Sequence, residues 1–138
     1  MKHNNCLFST LIWLLCAANL TAQDSDFNNC AAAFLGKKMI VNEYSTEGKC
    51  SLPANSTGEL TLRPVTLNAG EEPKAGDKIP FKIAIRGGGS RTLMLFSEKT
   101  YKEIDIQKVL AACQKGEYIV LLTTEREWAV PHGEILVE

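Results

Sequence analysis

The stretch that most limits what this chain can fold into is residues 79–96. Phe81, Ile83 and Ile85 alternate with Lys82, Ala84 and Arg86, the period of two expected of a strand with one buried face. Gly87-Gly88-Gly89-Ser90 follows, and then Thr92 to Phe96 is apolar almost throughout. A strand apolar on both sides is expected to be covered on both sides. Glycine enters positive φ without a Cβ clash, so the glycine run reads as a tight reversal between two strands. The expected unit is a central hairpin around which the rest packs. Arg86 and Arg91 flank the turn, and glycine amides between two arginines also suit an anion. The phosphate-loop pattern is missing, because no Lys-Ser/Thr pair follows the glycines.

The remaining segments read as further strands and one helix. Residues 38–44, 49–52, 59–67, 118–123 and 135–137 have strand-like patterns, whereas 30–35 fits a single helical turn or the start of a strand. Pro64 falls within 59–67 and lacks an amide donor, which places that strand at a sheet edge or at a bulge. Ile106, Val109, Leu110 and Cys113 fall at i, i+3, i+4 and i+7, one face of a helix of about ten residues. Asp105 suits its N-cap and Gly116 its stop. Residues 68–78, with two glycines, a proline and five charges, read as a solvated loop. The expected class is therefore α+β: mainly antiparallel β, sandwich-like, with one short helix packed on the sheet.

The first residues have a different character. Met1-Lys-His-Asn-Asn precedes an apolar run over 6–15, and Ala22 precedes Gln23. This is the pattern of a cleaved secretory signal, and the run is shorter than the ~20 apolar residues of a membrane span. Residues 1–22 are read as a signal peptide, 23–29 as a polar lead-in and 30–138 as a single domain. A rival reading makes Trp13-Leu-Leu-Cys16 a lipoprotein box, although Leu15 stands where a small residue is wanted. Only then, with an acylated Cys16, would a membrane be a partner. The address is periplasmic or secreted, or lipid-anchored to the envelope under the rival reading. Asn55-Ser-Thr57 is a formal glycosylation sequon, used only in a eukaryotic secretory host.

Composition excludes some chemistry. Without residues 1–22, fourteen Lys and Arg face sixteen Asp and Glu, a net charge near −2. No basic stripe is present, so nucleic acid is not an expected partner. The cysteines beyond residue 22 are Cys30, Cys50 and Cys113, and a Cys30–Cys50 disulfide is the expected pairing in an oxidising compartment. His132 is the one histidine beyond residue 22, and no Cys-x-x-Cys occurs, so neither a metal centre nor a cofactor is expected. A nucleophilic arrangement would have to join Cys113 to His132. The candidate contact residues are Arg86 and Arg91 at the glycine turn, Glu71 and Glu72 in the loop 68–78, and Trp128. Tryptophan in a turn anchors a partner or folds back over the sheet.

One resemblance adds to this. A strand, a helix ending in Gln114-Lys-Gly116, a hydrophobic strand over 118–122, a proline-containing turn and a terminal Ile135-Leu-Val137 resemble the C-terminal β-domain of the periplasmic core subunit of the type IX secretion and gliding machinery of Bacteroidota. Ala22-Gln23 also looks like a signal-peptide end of that phylum. The likeness covers about half of the chain beyond the signal. It implies an envelope β-domain working by protein contact, with no catalytic motif to carry over. The expected function is a small exported, non-catalytic binding module acting through loops and a sheet edge, with another envelope or secreted protein as its partner. The edge near Pro64 and the loop 68–78 are its expected surfaces. The alternatives are a secreted inhibitor or immunity protein that blocks an enzyme with an exposed loop, and an enzyme dependent on Cys113.

Overall fold

A computed structural model of the chain describes residues 29–42, 48–66, 68 and 70–138. The signal-peptide reading of residues 1–22, the lipid-acceptor reading of Cys16 and most of the expected lead-in 23–29 fall outside these residues. Two sheets face each other. The first contains β1 (Ala31–Leu35), β2 (Lys38–Met39), β4 (Glu59–Thr66), β5 (Lys74–Ala75) and β8 (Glu103–Asp105), with β4 at its centre. The second contains β3 (Ser51–Leu52), β6 (Phe81–Arg86), β7 (Leu93–Leu95), β9 (Tyr118–Thr123) and β10 (Glu134–Val137), in the order β3-β10-β9-β6-β7. All pairings are antiparallel except β3 with β10. The short helix α1 (Ile106–Leu110) follows β8 directly. This is the α+β, antiparallel architecture expected of the sequence.

The period of two decides what lies between the sheets. Ala31, Ala33, Leu60 and Leu62 of the first sheet meet Phe81, Ile83, Ile119, Leu121, Ile135 and Val137 of the second in one core. Their registers agree, because Leu62 lies opposite Ala33, Ile83 opposite Leu121, and Ile119 opposite Ile135. Non-polar area is removed from water on both inner faces at once, the main favourable term in forming the sandwich. α1 adds Ile106, Val109 and Leu110 to the same core. Asp105 caps it, its Oδ1 accepting the Gln107 amide at 3.0 Å. The helix is half the expected length. After Leu110 the bonds tighten to i+3, Ala112 to Val109 and Cys113 to Leu110, as helix ends often do.

Several local expectations are corrected. Of the expected strand 38–44, the described residues 38–42 give the two-residue β2 and an isolated bridge between Val41 and Cys50, residues 43–47 being outside those described, while of the two readings open for 30–35 the strand is the one formed, as β1. Pro64 is not at a sheet edge. β4 pairs with β1 on one side and with β8 and then β5 on the other. The Val65 amide donates to Cys30, so Pro64, one residue out of step, turns its nitrogen away from β1. There it meets the interval between β8, paired as far as Thr61, and β5, paired from Val65. A missing donor costs little where the partner strand changes.

The glycine turn works differently from expected. Gly87, Gly88 and Gly89 are absent from the positive-φ glycines, which are Gly36, Gly58, Gly70 and Gly116. Ser90 donates its amide to the Gly87 carbonyl at 3.1 Å, closing a simple turn. What requires glycine is proximity: a Cβ on Gly88 would lie 2.7 Å from the Gly116 carbonyl oxygen. The β6–β7 turn is thus pressed against the turn that leads into β9, and Gly116 is itself tied by its amide to Val137. The Gly88→Ala variant is expected to lose about 1–3 kcal/mol of stability, as overpacking does. Gly89→Ala, with nothing within 4 Å of its added Cβ, is expected to stay within about 0.5 kcal/mol of the parent. Urea denaturation of the two variants checks the contrast.

Candidate functional site

β6 shares its backbone between two neighbours. Phe96 donates its amide to the Ile83 carbonyl at 2.8 Å, so the odd-numbered residues of β6 face β7, and its even-numbered residues face β9. The consequence falls on β7. Met94 lies opposite Ile85 and uses its backbone groups inward, whereas Leu93 and Leu95 lie opposite Arg86 and Ala84 in the alternate positions. Their N–H and C=O groups therefore point out of the sheet, along its free edge.

The side chains there are apolar. Leu93, Met94 and Leu95 are 46%, 65% and 47% exposed, and they are the exposed large hydrophobics among the described residues. Cross-strand registers put Leu93 and Leu95 on the outer face of the second sheet, beside Ala84, Val120 and Leu122. Met94 projects from the other face. The other free edges among the described residues are blunted. β2 carries Lys38, β5 carries Lys74 after Pro73, β3 runs into Pro53, and β8 carries Glu103 and Asp105. Charge, proline and shortness are the devices that keep edges from pairing with other chains. β7 has neither a charge nor a proline.

This is the main functional feature that the sequence reading missed. The apolar run over 92–96 was expected to be covered on both faces, whereas Leu93, Met94 and Leu95 are exposed and Phe96 alone packs against the core. The available signal was its sequel: 97–103 is polar and offers no strand to pair with it.

The expected contact residues are dispersed. Arg86 is engaged within the sheet. Its Nη2 donates to Glu134 Oε2 at 2.6 Å, its Nη1 to the Ser90 carbonyl at 3.2 Å, and its guanidinium lies 4.3 Å from the centroid of the Tyr118 ring. A cation held over a ring and against a carboxylate is not poised for an outside anion. Arg91 is exposed, two residues before β7. Glu71 accepts from Asn68 Nδ2 at 3.1 Å and pairs with Lys74 at 3.6 Å, in the exposed stretch that also holds Glu72. Trp128 folds back onto the main core and donates Nε1–H to Glu125 Oε2 at 3.1 Å. Lys78 bridges Glu59 and Glu103 across the first sheet, and hydrogen bonding to Lys78 holds the Glu103 carboxyl below its ordinary range. Among the described residues no three His, Cys, Asp or Glu are grouped to hold a metal ion.

The cysteines depart from the expected pairing. Cys50 and Cys113 are thiols, so the Cys30–Cys50 disulfide is not formed. The reason is placement: Cys30 bridges to Ala129, whereas Cys50 bridges to Val41 and donates its thiol to the His132 carbonyl oxygen at 3.6 Å. Cys113 packs against the main core. Burial pushes the thiols of Cys50 and Cys113 up to about 11 from 9.0, helped at Cys113 by the nearby Glu117 carboxylate. Nucleophilic cysteines have the opposite shift.

No known protein family matches the chain, and neither a curated protein nor a solved structure matches it. No helix among the described residues is long and apolar enough to cross a membrane.

At pH 8, iodoacetamide is expected to modify Cys50 and Cys113 in the native protein about 100-fold more slowly than in the urea-unfolded chain, the ratio of thiolate fractions for a shift of about two pH units. The rates should converge above pH 11. The unfolded chain releases these thiol protons first, so the same shift removes stability as pH rises from 9 through 11. Mass spectrometry of the alkylated peptides gives the rates.

Proposed function

We propose that this chain is a small exported, non-catalytic interaction module of the bacterial cell envelope, which engages other protein chains through the open edge of β7. The observation that carries this reading is the row Leu93-Met94-Leu95, exposed on an edge strand whose outward backbone groups are unused within the sheet. An extended segment added there gains main-chain hydrogen bonds from Leu93 and Leu95 and apolar contact on both faces, the recurring mode of strand addition. The signal-like residues 1–22 and the likeness to an envelope β-domain supply the address. The raised thiols of Cys50 and Cys113 leave the reading without need of a reacting group.

A blocking loop is the rival device, and two features favour the edge over it. The 87–90 turn is pressed on Gly116, and residues 74–75 of the polar loop are tied to β4 as β5. Neither presents large apolar side chains to solvent.

The test is capture of exported proteins by the immobilised protein and by the doubly substituted Leu93→Lys, Leu95→Lys variant. Both substituted side chains are already half exposed, so the fold should survive, with an unchanged circular dichroism spectrum. The variant is expected to retain about one tenth or less of the captured partner, as for edges closed by lysine. Equal capture by parent and variant contradicts the proposal.

A further inference from the structure

We infer that, apart from the β7 edge, the protein has a small-molecule site in the cleft beside β8, and that this site takes an organic carboxylate with an apolar body. The cleft holds about 460 Å³, within the ~300–1,000 Å³ of small-molecule sites. It lies where the chain leaves the second sheet for the first. Phe96 donates its amide to Ile83, and Tyr101 exchanges two bonds of 2.8 Å with Phe81. Between these ties β6 has only Lys82, whereas the outer segment has Ser97 to Thr100. The surplus forms a loop that borders the cleft through Lys99. Ser97 fixes this loop, its Oγ accepting the Lys99 amide at 3.1 Å and lying 2.7 Å from the Tyr101 hydroxyl.

Part of the lining is apolar and already in place. Phe96 and Tyr101 pack against the main core with their ring centroids 6.4 Å apart, and Ile104 of β8 joins them. Rings held in this way need little further ordering when a ligand binds. The charged lining residues differ in how far they are engaged. Glu59 and Glu103 share Lys78, and Asp105 caps α1, its Oδ1 accepting the Gln107 amide. Lys99 and Lys108 also line the cleft, and neither has an ion pair among the described residues. With Lys78 counted, three positive charges balance three negative ones, so selection rests on which groups remain unengaged. Those are the two ammonium groups, on flexible stems that reach a point of charge. A carboxylate gains charge-assisted hydrogen bonds from them, and its apolar body displaces water from Phe96, Tyr101 and Ile104. A cationic ligand would meet carboxylates already engaged, and an inorganic anion would leave the ring wall unused.

Phenylacetate is the probe, with three relatives that each change one element. Phenylacetamide lacks the charge, phenethylamine reverses it, and acetate lacks the ring. Titration followed by proton–nitrogen correlation spectra of the protein is expected to show saturable shifts at the Lys99, Tyr101 and Lys108 amides with phenylacetate. Each relative is expected to bind about tenfold more weakly or less well still. The doubly substituted Lys99→Gln, Lys108→Gln variant alters two exposed side chains, so the fold should survive. It is expected to weaken phenylacetate binding about tenfold, with the spectrum elsewhere unchanged. The inference is overturned by an absence of saturable shifts at these amides, by phenylacetamide, phenethylamine or acetate binding as well as phenylacetate, or by unchanged affinity in the double variant.

Discussion

The alternation of backbone bonding along β6 governs the rest of the structure. Its even-numbered residues bond to β9 and its odd-numbered residues to β7, while Phe81 and Ile83 turn into the core. This strand therefore joins three tasks. It locks the second sheet, it supplies the inner face that Leu60 and Leu62 pack against, and it fixes which groups of β7 remain unused. A slip of one residue would place Lys82 and Arg86 in the core, which the burial of charge forbids. The core thereby sets the register, and the register leaves Leu93 and Leu95 facing outward.

Around this frame the polar side chains hold the sheets and leave the edge alone. Arg86, Glu134 and Tyr118 tie β6, β10 and β9 together on the outer face of the second sheet. Lys78 joins Glu59 and Glu103 across the first. The side chains that the sequence offers as contacts are largely engaged inside the molecule, and the surface left for a partner is apolar and backbone-rich. An affinity built on main-chain hydrogen bonds with alternating apolar contacts is a property of shape and register.

Much of the architecture was legible because burial imposes a period. Phe81, Ile83 and Ile85 announced β6, Tyr118 to Thr123 announced β9, and Asp105 with Ile106, Val109 and Leu110 announced the capped helix. What failed were inferences from one residue type to one cause. Three glycines suggested positive φ, whereas Gly88 is required by the nearness of Gly116. Pro64 suggested an edge or a bulge, whereas a change of partner strand accommodates it inside the sheet. Cys30 and Cys50 suggested a staple, but each is held in an isolated bridge to a different segment, Cys30 to Ala129 and Cys50 to Val41. The site was hidden for a related reason. An apolar strand reads the same whether its neighbour is another strand of the domain or a strand yet to arrive, so sequence period locates β7 without revealing that one side is open.

The central claim is that the Leu93 and Leu95 amides point out of the sheet to meet another chain, while those of Met94 and Phe96 are bonded within it. Amide hydrogen exchange resolved residue by residue, with and without a captured partner, tests this most directly. The account predicts fast exchange at Leu93 and Leu95 in the protein alone, slowed when the partner is added, with Met94 and Phe96 protected throughout. Uniform protection of all four amides in the protein alone, or fast exchange at Leu93 and Leu95 that no captured partner slows, would contradict it.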